Sequence, residues 1–169
     1  MTTRLRLAVL LLAGLAPLAA CHPKKTGASS AESHAPGTTT ASVPAACAQY
    51  PTGAPGVIRT YCDGPAVVKL TIGGVARTLT GGSCSTDGGV FVLNLGVVAG
   101  PDLAGPKPDY VGLSAPITTG HFTNATLALN IDGKPYALTE NSGEVTPAGG
   151  SFAGKALDGG QTISGTFTC

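Results

Sequence analysis

The sequence predicts a single small all-β domain, an antiparallel β-sandwich or partly closed barrel of about seven or eight strands, stapled by disulfides. Three observations predict it. From Cys47 onward apolar and polar residues alternate with period two, and Gly-Gly and Asp-Gly pairs interrupt the alternation while no stretch keeps helical spacing. The 169 residues include 25 Gly and 13 Pro but no Trp, four Phe and four Tyr, so the chain has the material for one modest core. Five cysteines in a chain that carries an export signal point to disulfides rather than free thiols.

Ahead of that domain, Arg4 and Arg6 form a basic n-region, and Leu7 to Leu18 form an apolar run interrupted by Gly14 and Pro17. This is the layout of a secretory leader, expected to cover residues 1–20. The run is shorter than the roughly 20 residues a helix needs to cross a bilayer core, so a permanent span is not expected. Leu18-Ala19-Ala20-Cys21 closes the leader and resembles the lipobox of bacterial lipoproteins, in which the cysteine thiol takes a diacylglycerol before the chain is cut. That resemblance implies lipidation of Cys21 and a place in the cell envelope, on the extracytoplasmic side of a membrane. Two or three palmitate-like acyl chains, at about 0.8 kcal/mol per buried methylene, make release into water slow. An ordinary secreted protein with a chance cysteine at 21 is the bland alternative.

After Cys21, residues His22 to Ala46 are rich in Ala, Ser, Thr, Pro and Gly, with Val43 the one large aliphatic residue. Such a stretch lacks the apolar surface to fold and reads as a disordered tether over 21–46, with a reach of roughly 25 to 30 Å. Ten Lys or Arg, two of them in the leader, face nine Asp or Glu, which leaves the mature chain near minus one. No nucleic-acid partner is expected from that balance. The β domain occupies 47–169. Its cysteines Cys47, Cys62, Cys84 and Cys169 allow three pairings, of which we favour Cys47 with Cys62 and Cys84 with Cys169. Zinc wants four convergent N or S ligands; without Cys-x-x-Cys, and with His121 the lone histidine of the domain, no metal and no cofactor are expected.

Within the domain Val68, Leu70 and Ile72 share one strand face, Gly73-Gly74 makes a two-residue turn, and Val75, Arg77 and Leu79 run back. Asp87-Gly88-Gly89 precedes an apolar strand from Val90 to Leu95, and Gly100 to Asp109, with three prolines, reads as a loop. His121 to Ile131 reads as one alternating strand with Thr123, Ala125, Leu127, Leu129 and Ile131 on a common face. Asp132-Gly133 turns it back through Tyr136 and Leu138, and Asp158-Gly159-Gly160 turns Ser151–Leu157 into Gln161–Cys169. Ile163, Gly165, Phe167 and Cys169 fall together on the last strand.

Val68-Lys69-Leu70-Thr71-Ile72-Gly73-Gly74, Thr80-Gly81-Gly82-Ser83-Cys84-Ser85-Thr86 and Ser164-Gly165-Thr166-Phe167-Thr168-Cys169 together resemble the mycobacterial nineteen-kilodalton lipoprotein antigen family. The likeness spans about Ala66 to Cys169, with the lipobox and the Thr-rich tether. It implies a surface-exposed, immunogenic, acylated protein with a disulfide between Cys84 and Cys169, and it carries no catalytic residues. Cys47 and Cys62 are additions to that pattern, and Gly100 to Thr119 departs from it.

No catalytic set is evident. His121 reads as a strand-end residue rather than a base. Asp63, Asp87, Asp132 and Asp158 each precede Gly, which suits turns before it suits catalysis. Glu140, Asn141, Ser142 and Glu144 cluster oxygen ligands, yet an ordinary polar turn explains them better than a weak calcium site. Gly149 to Gly154 with Lys155 has phosphate-loop spacing but places Ala156 where Ser or Thr is required. Asn124-Ala125-Thr126 is a glycosylation sequon whose place within a strand argues against its use. The expectation is therefore a non-enzymatic surface lipoprotein that works by adhesion, envelope contact or display to a host receptor. The alternative is a carrier that holds a lipid or other apolar ligand between two sheets, which requires an apolar cavity of at least about 300 Å³.

Overall fold

The computed structural model describes residues 45–117, 120–157 and 160–169. The leader, the lipobox with Cys21, the tether up to residue 44 and the first two residues of the Asp158-Gly159-Gly160 turn lie outside them. A single helical turn, α1 (Ala45–Gln49), opens the domain at a point where the sequence shows no helical spacing. Ten strands follow: β1 (Val57–Tyr61), β2 (Ala66–Ile72), β3 (Val75–Asp87), β4 (Val90–Ala99), β5 (Tyr110–Pro116), β6 (His121–Thr123), β7 (Thr126–Ile131), β8 (Lys134–Thr146), β9 (Gly149–Ala156) and β10 (Thr162–Thr168).

Eight of them close into an antiparallel barrel in the order β4-β3-β2-β10-β9-β8-β7-β5, with β4 pairing β5 to shut the ring. Strand β1 adds to the far part of β4, and β6 adds to β8. Both sequence alternatives meet in this fold, because it is a sandwich whose two sheets share strands. The 13 residues of β3 pair with β2 over 75–82 and with β4 over 83–87. Likewise β8 pairs with β7 over 134–137 and with β9 on both sides of a bulge at Glu140 and Asn141.

Each corner has a local cause. On β3 it falls at Gly81, whose φ of +94° an L side chain rarely adopts, and at Gly82, where a Cβ would lie 2.7 Å from the Asn94 carbonyl oxygen. On β8 the extra residue sits at Glu140, with φ of +51°, and Asn141 turns inward to 4 % exposure. Its Nδ2 donates to the Ala125 carbonyl at 2.9 Å, and its main-chain carbonyl accepts from Asn124 N–H at 2.7 Å. The polar stretch at 140–144 is thus a corner of the barrel wall rather than a surface turn.

That same corner breaks the strand expected over His121 to Ile131. Asn124 adopts φ of +55°, the alternation changes phase, and Phe122 enters the core while Thr123 points to solvent. Asn124 therefore stands exposed between β6 and β7, not inside a strand. The hairpin turns follow the sequence reading, with Ile72 opposite Val75 across Gly73-Gly74 and Ile131 opposite Lys134 across Asp132-Gly133. The segment between β4 and β5 is the loop its prolines indicate.

Inward-facing residues of both sheets fill the barrel: Val68, Leu70 and Ile163 on one wall, Leu93, Leu95, Val111 and Leu113 on the other, none above 2 % exposed. Burying each such side chain contributes about 1.5 to 3 kcal/mol. Phe91 and Phe167 stack across the barrel with centroids 5.4 Å apart. The three phenylalanines on the β2-β10-β9-β8 side each lie opposite a mid-strand glycine: Phe152 by Gly165, Phe167 by Gly150 and Phe122 by Gly143. A Cβ on Gly165 or Gly143 would sit 2.5 Å from the facing ring, so these glycines are the space the rings occupy.

Two disulfides staple the ends, Cys47–Cys62 and Cys84–Cys169, with sequence separations of 15 and 85. The first holds α1 to the end of β1; the second ties β3 to the C-terminus. In the chain-entropy picture they contribute about 3 and about 4.6 kcal/mol. Replacing Gly165 by Val is expected to overfill the core and lower unfolding free energy in urea by about 1 to 3 kcal/mol. The neighbouring Thr166→Val, on the outer face, is expected to change it by less than about 0.5 kcal/mol.

Candidate binding surfaces

Three depressions of about 270 Å³ or more lie on the outer wall and at a corner of the barrel. The wall formed by β1, β4, β5 and β7 carries an aromatic row. Arg59 lies over the Tyr61 ring, 5.0 Å from its centroid, and Tyr61 stands 6.5 Å from Tyr110. Tyr110 lies flat across Gly112, where a Cβ would come 2.5 Å from the hydroxyl oxygen, and its hydroxyl donates to Asn94 Oδ1 at 2.6 Å.

Beside it runs a shallow groove of ≈ 270 Å³ floored by Val98, Ala128 and Leu129 and edged by Tyr110, Lys107 and Asn130. Asn130 Nδ2 donates to the carbonyls of Lys107 and Pro108 at 2.8 and 2.6 Å, which holds the β4–β5 loop against β7. Lys107 Nζ donates to the Gly100 carbonyl and closes the loop on itself.

The opposite outer wall is chemically different. Lys69, Thr71, Thr78, Ser151, Ser164 and Thr166 line a wide depression of ≈ 670 Å³ across β3, β2, β10 and β9. Short hydroxyl side chains give it many weak donors and acceptors, with Lys69 as its central charge.

The third feature is a cleft of ≈ 310 Å³ at the barrel corner, where the first half of β3 leaves β4. Thr78, Leu79 and Thr80 form one side, Leu95, Gly96 and Asp109 the other, and Ala46 and Cys47 of α1 the end. Asp109 Oδ1 accepts from the Asp132 N–H at 2.8 Å. Arg77, the next inward position on β3, bridges to Asp132 at 2.7 Å.

The structure pairs Cys47 with Cys62 and Cys84 with Cys169, as favoured. His121 is exposed at the start of β6, opposite Glu144 of β8. Asp87 and Asp132 sit at hairpin ends, Asp63 in the exposed β1–β2 connection, and the glycine run with Lys155 forms β9. Among the described residues no three His, Cys, Asp or Glu side chains gather where they would hold a metal ion, and no helix is long and apolar enough to cross a membrane.

Arg59, Tyr61, Tyr110 and Asn94 carry no motif that marks them in the sequence. Their signal is Arg and Tyr at alternate positions of one strand, with Tyr two residues before Gly on another. Compared with known proteins, the chain matches no family model, no curated protein and no solved structure.

Burial pushes the Tyr110 hydroxyl above the ordinary tyrosine range, and the charge Tyr61 would carry when ionised pushes it further. Because the folded state favours the neutral phenol, this contribution to stability is complete below the usual tyrosine range and is lost as pH rises through the raised value. In an ultraviolet titration of tyrosinate, one ring is expected to ionise late, and Tyr110→Phe to remove that late step. An unchanged titration in the variant would contradict the assignment.

Proposed function

We propose that the chain is a membrane-anchored, surface-exposed bacterial lipoprotein that works by binding or contact rather than by catalysis. Lipid on Cys21 is its anchor, and residues 22–44 are the spacer that lets the β domain stand away from the bilayer; the tether expected to run to Ala46 stops short of it, because Ala45 and Ala46 belong to α1. The anchor rests on the basic, apolar and lipobox segments that succeed one another over residues 1–21. The nineteen-kilodalton antigen resemblance supports the same surface role.

The observation that carries the contact reading is the barrel interior, whose space Phe152, Leu93, Leu95, Leu113 and Ile163 take up at under 2 % exposure. A carrier of apolar ligands needs an enclosed space that its own side chains leave open. The three depressions described above are open and lie on the outer wall and at a corner, where another molecule meets the surface without entering it.

Intact-mass analysis of the detergent-extracted protein tests both parts. Under denaturing conditions the expected mass is that of residues 21–169 plus covalent acyl chains, and Cys21→Ser is expected to lose both the acyl mass and the membrane fraction. A mature chain without acyl mass would overturn the anchor. Under native conditions no further mass is expected, and a retained non-covalent lipid would overturn contact in favour of carriage.

A further inference from the structure

The register of the β2–β3 hairpin fixes which way each β3 peptide group points. In a two-residue hairpin the closing pair, here Ile72 and Val75, exchanges hydrogen bonds, and the pattern alternates from there. Val75, Arg77 and Leu79 therefore bond toward β2, while the N–H and C=O groups of Ala76, Thr78 and Thr80 point the other way. Beyond residue 82 that side of β3 is taken by β4, but along 75–82 β3 pairs with β2 alone. The Ala76 carbonyl accepts from its neighbour Arg77 at 3.1 Å. Among the described residues the main-chain groups of Thr78 and Thr80 have no partner on that side, and both residues are exposed.

This bare edge forms one wall of the corner cleft, over a half-buried Leu79 and a buried Leu95. Across the cleft Asp109 is half-buried, and the one ion pair among the described residues is Arg77–Asp132, so its carboxylate lacks a cationic partner. A row of free strand donors and acceptors beside apolar side chains and an uncompensated carboxylate is the chemistry of an extended peptide with a basic residue.

We propose that the β3 edge at Ala76–Thr80 docks an extended peptide segment of a partner protein as an added strand, with a Lys or Arg of that segment meeting Asp109. The recess favours a single segment over edge-to-edge pairing of two copies, because Leu95, Gly96 and Asp109 wall the opposite side and α1 closes the end. The Arg77–Asp132 bridge beside it is 40 % and 59 % exposed, so it guards the edge weakly and yields to a bound strand. This assignment gives the contact reading a partner class and rests on it.

The test uses the whole exported chain carrying Cys21→Ser, labelled with nitrogen-15, and the synthetic peptide acetyl-Thr-Val-Lys-Val-Thr-amide. Saturable shifts of the Thr78 and Thr80 amides are expected, with hydrogen exchange at both slowed by about tenfold or more. The peptide with Glu in place of Lys is expected to bind about tenfold more weakly, and Asp109→Asn to remove that difference. Thr78→Pro, which deletes an edge donor without touching the β2 pairing, is expected to abolish binding. Absence of saturable shifts at these two amides, equal binding of the Lys and Glu peptides to the unsubstituted protein, or edge shifts that follow protein concentration without peptide would each overturn the proposal. Because the readout involves neither acyl chains nor lipid, its failure is distinguishable from failure of the anchored-contact reading.

Discussion

The fold depends on two strands that serve two sheets at once. Because β3 and β8 each turn a corner and change partners, neither sheet can slide or separate without breaking both, and pairing of β4 with β5 then closes the ring. Closure removes the long exposed edges that make small sheets prone to associate. What remains open is short and local: β1 beside β4, the three residues of β6 beside β8, and the first half of β3 where it has left β4 behind. The corner that gives the barrel its closure also creates its cleft.

A barrel so narrow has little room for aromatic rings, and the chain makes that room with glycine. Gly143, Gly150 and Gly165 lie in mid-strand opposite phenylalanines, where any side chain would collide with a ring. Glycine in a strand interior ordinarily costs backbone entropy and weakens the strand. Here the loss is offset by the packed ring above it. Tyr110 over Gly112 repeats the device on the outside, and there it lays a half-exposed ring flat on the wall next to Tyr61.

Much of this was legible in the sequence because strand alternation and turn chemistry are local. Val68, Leu70 and Ile72, the Gly73-Gly74 and Asp132-Gly133 turns and the proline-rich loop before Tyr110 all stand where their own residues place them. The corners were not legible in the same way. Asn124 and Glu140 take positive φ where Asn141 turns inward to bond Ala125, a constraint between distant residues that alternation alone does not reveal. Alternation over 121–131 places Thr123 on the inner face with Ala125, whereas the break at Asn124 turns it to solvent and Phe122 to the core. Mid-strand glycines carry an equally non-local meaning, since each answers to a ring on another strand. The surface features share this origin: the cleft exists because β3 and β4 diverge, and Tyr61 meets Tyr110 through the pairing of β1 with β4.

A closed barrel presents its outer wall and a few short open edges, so closure of the ring is the structural feature on which the candidate binding surfaces rest. Native-state hydrogen exchange resolved by residue addresses that closure most directly at β5, which pairs with β4 on one side and β7 on the other. All hydrogen-bonded β5 amides, toward both neighbours, are expected to exchange only through global unfolding and to share one opening free energy. If the amides facing β4 opened far more readily than those facing β7, the ring would be an open sandwich, and the closed barrel would be contradicted.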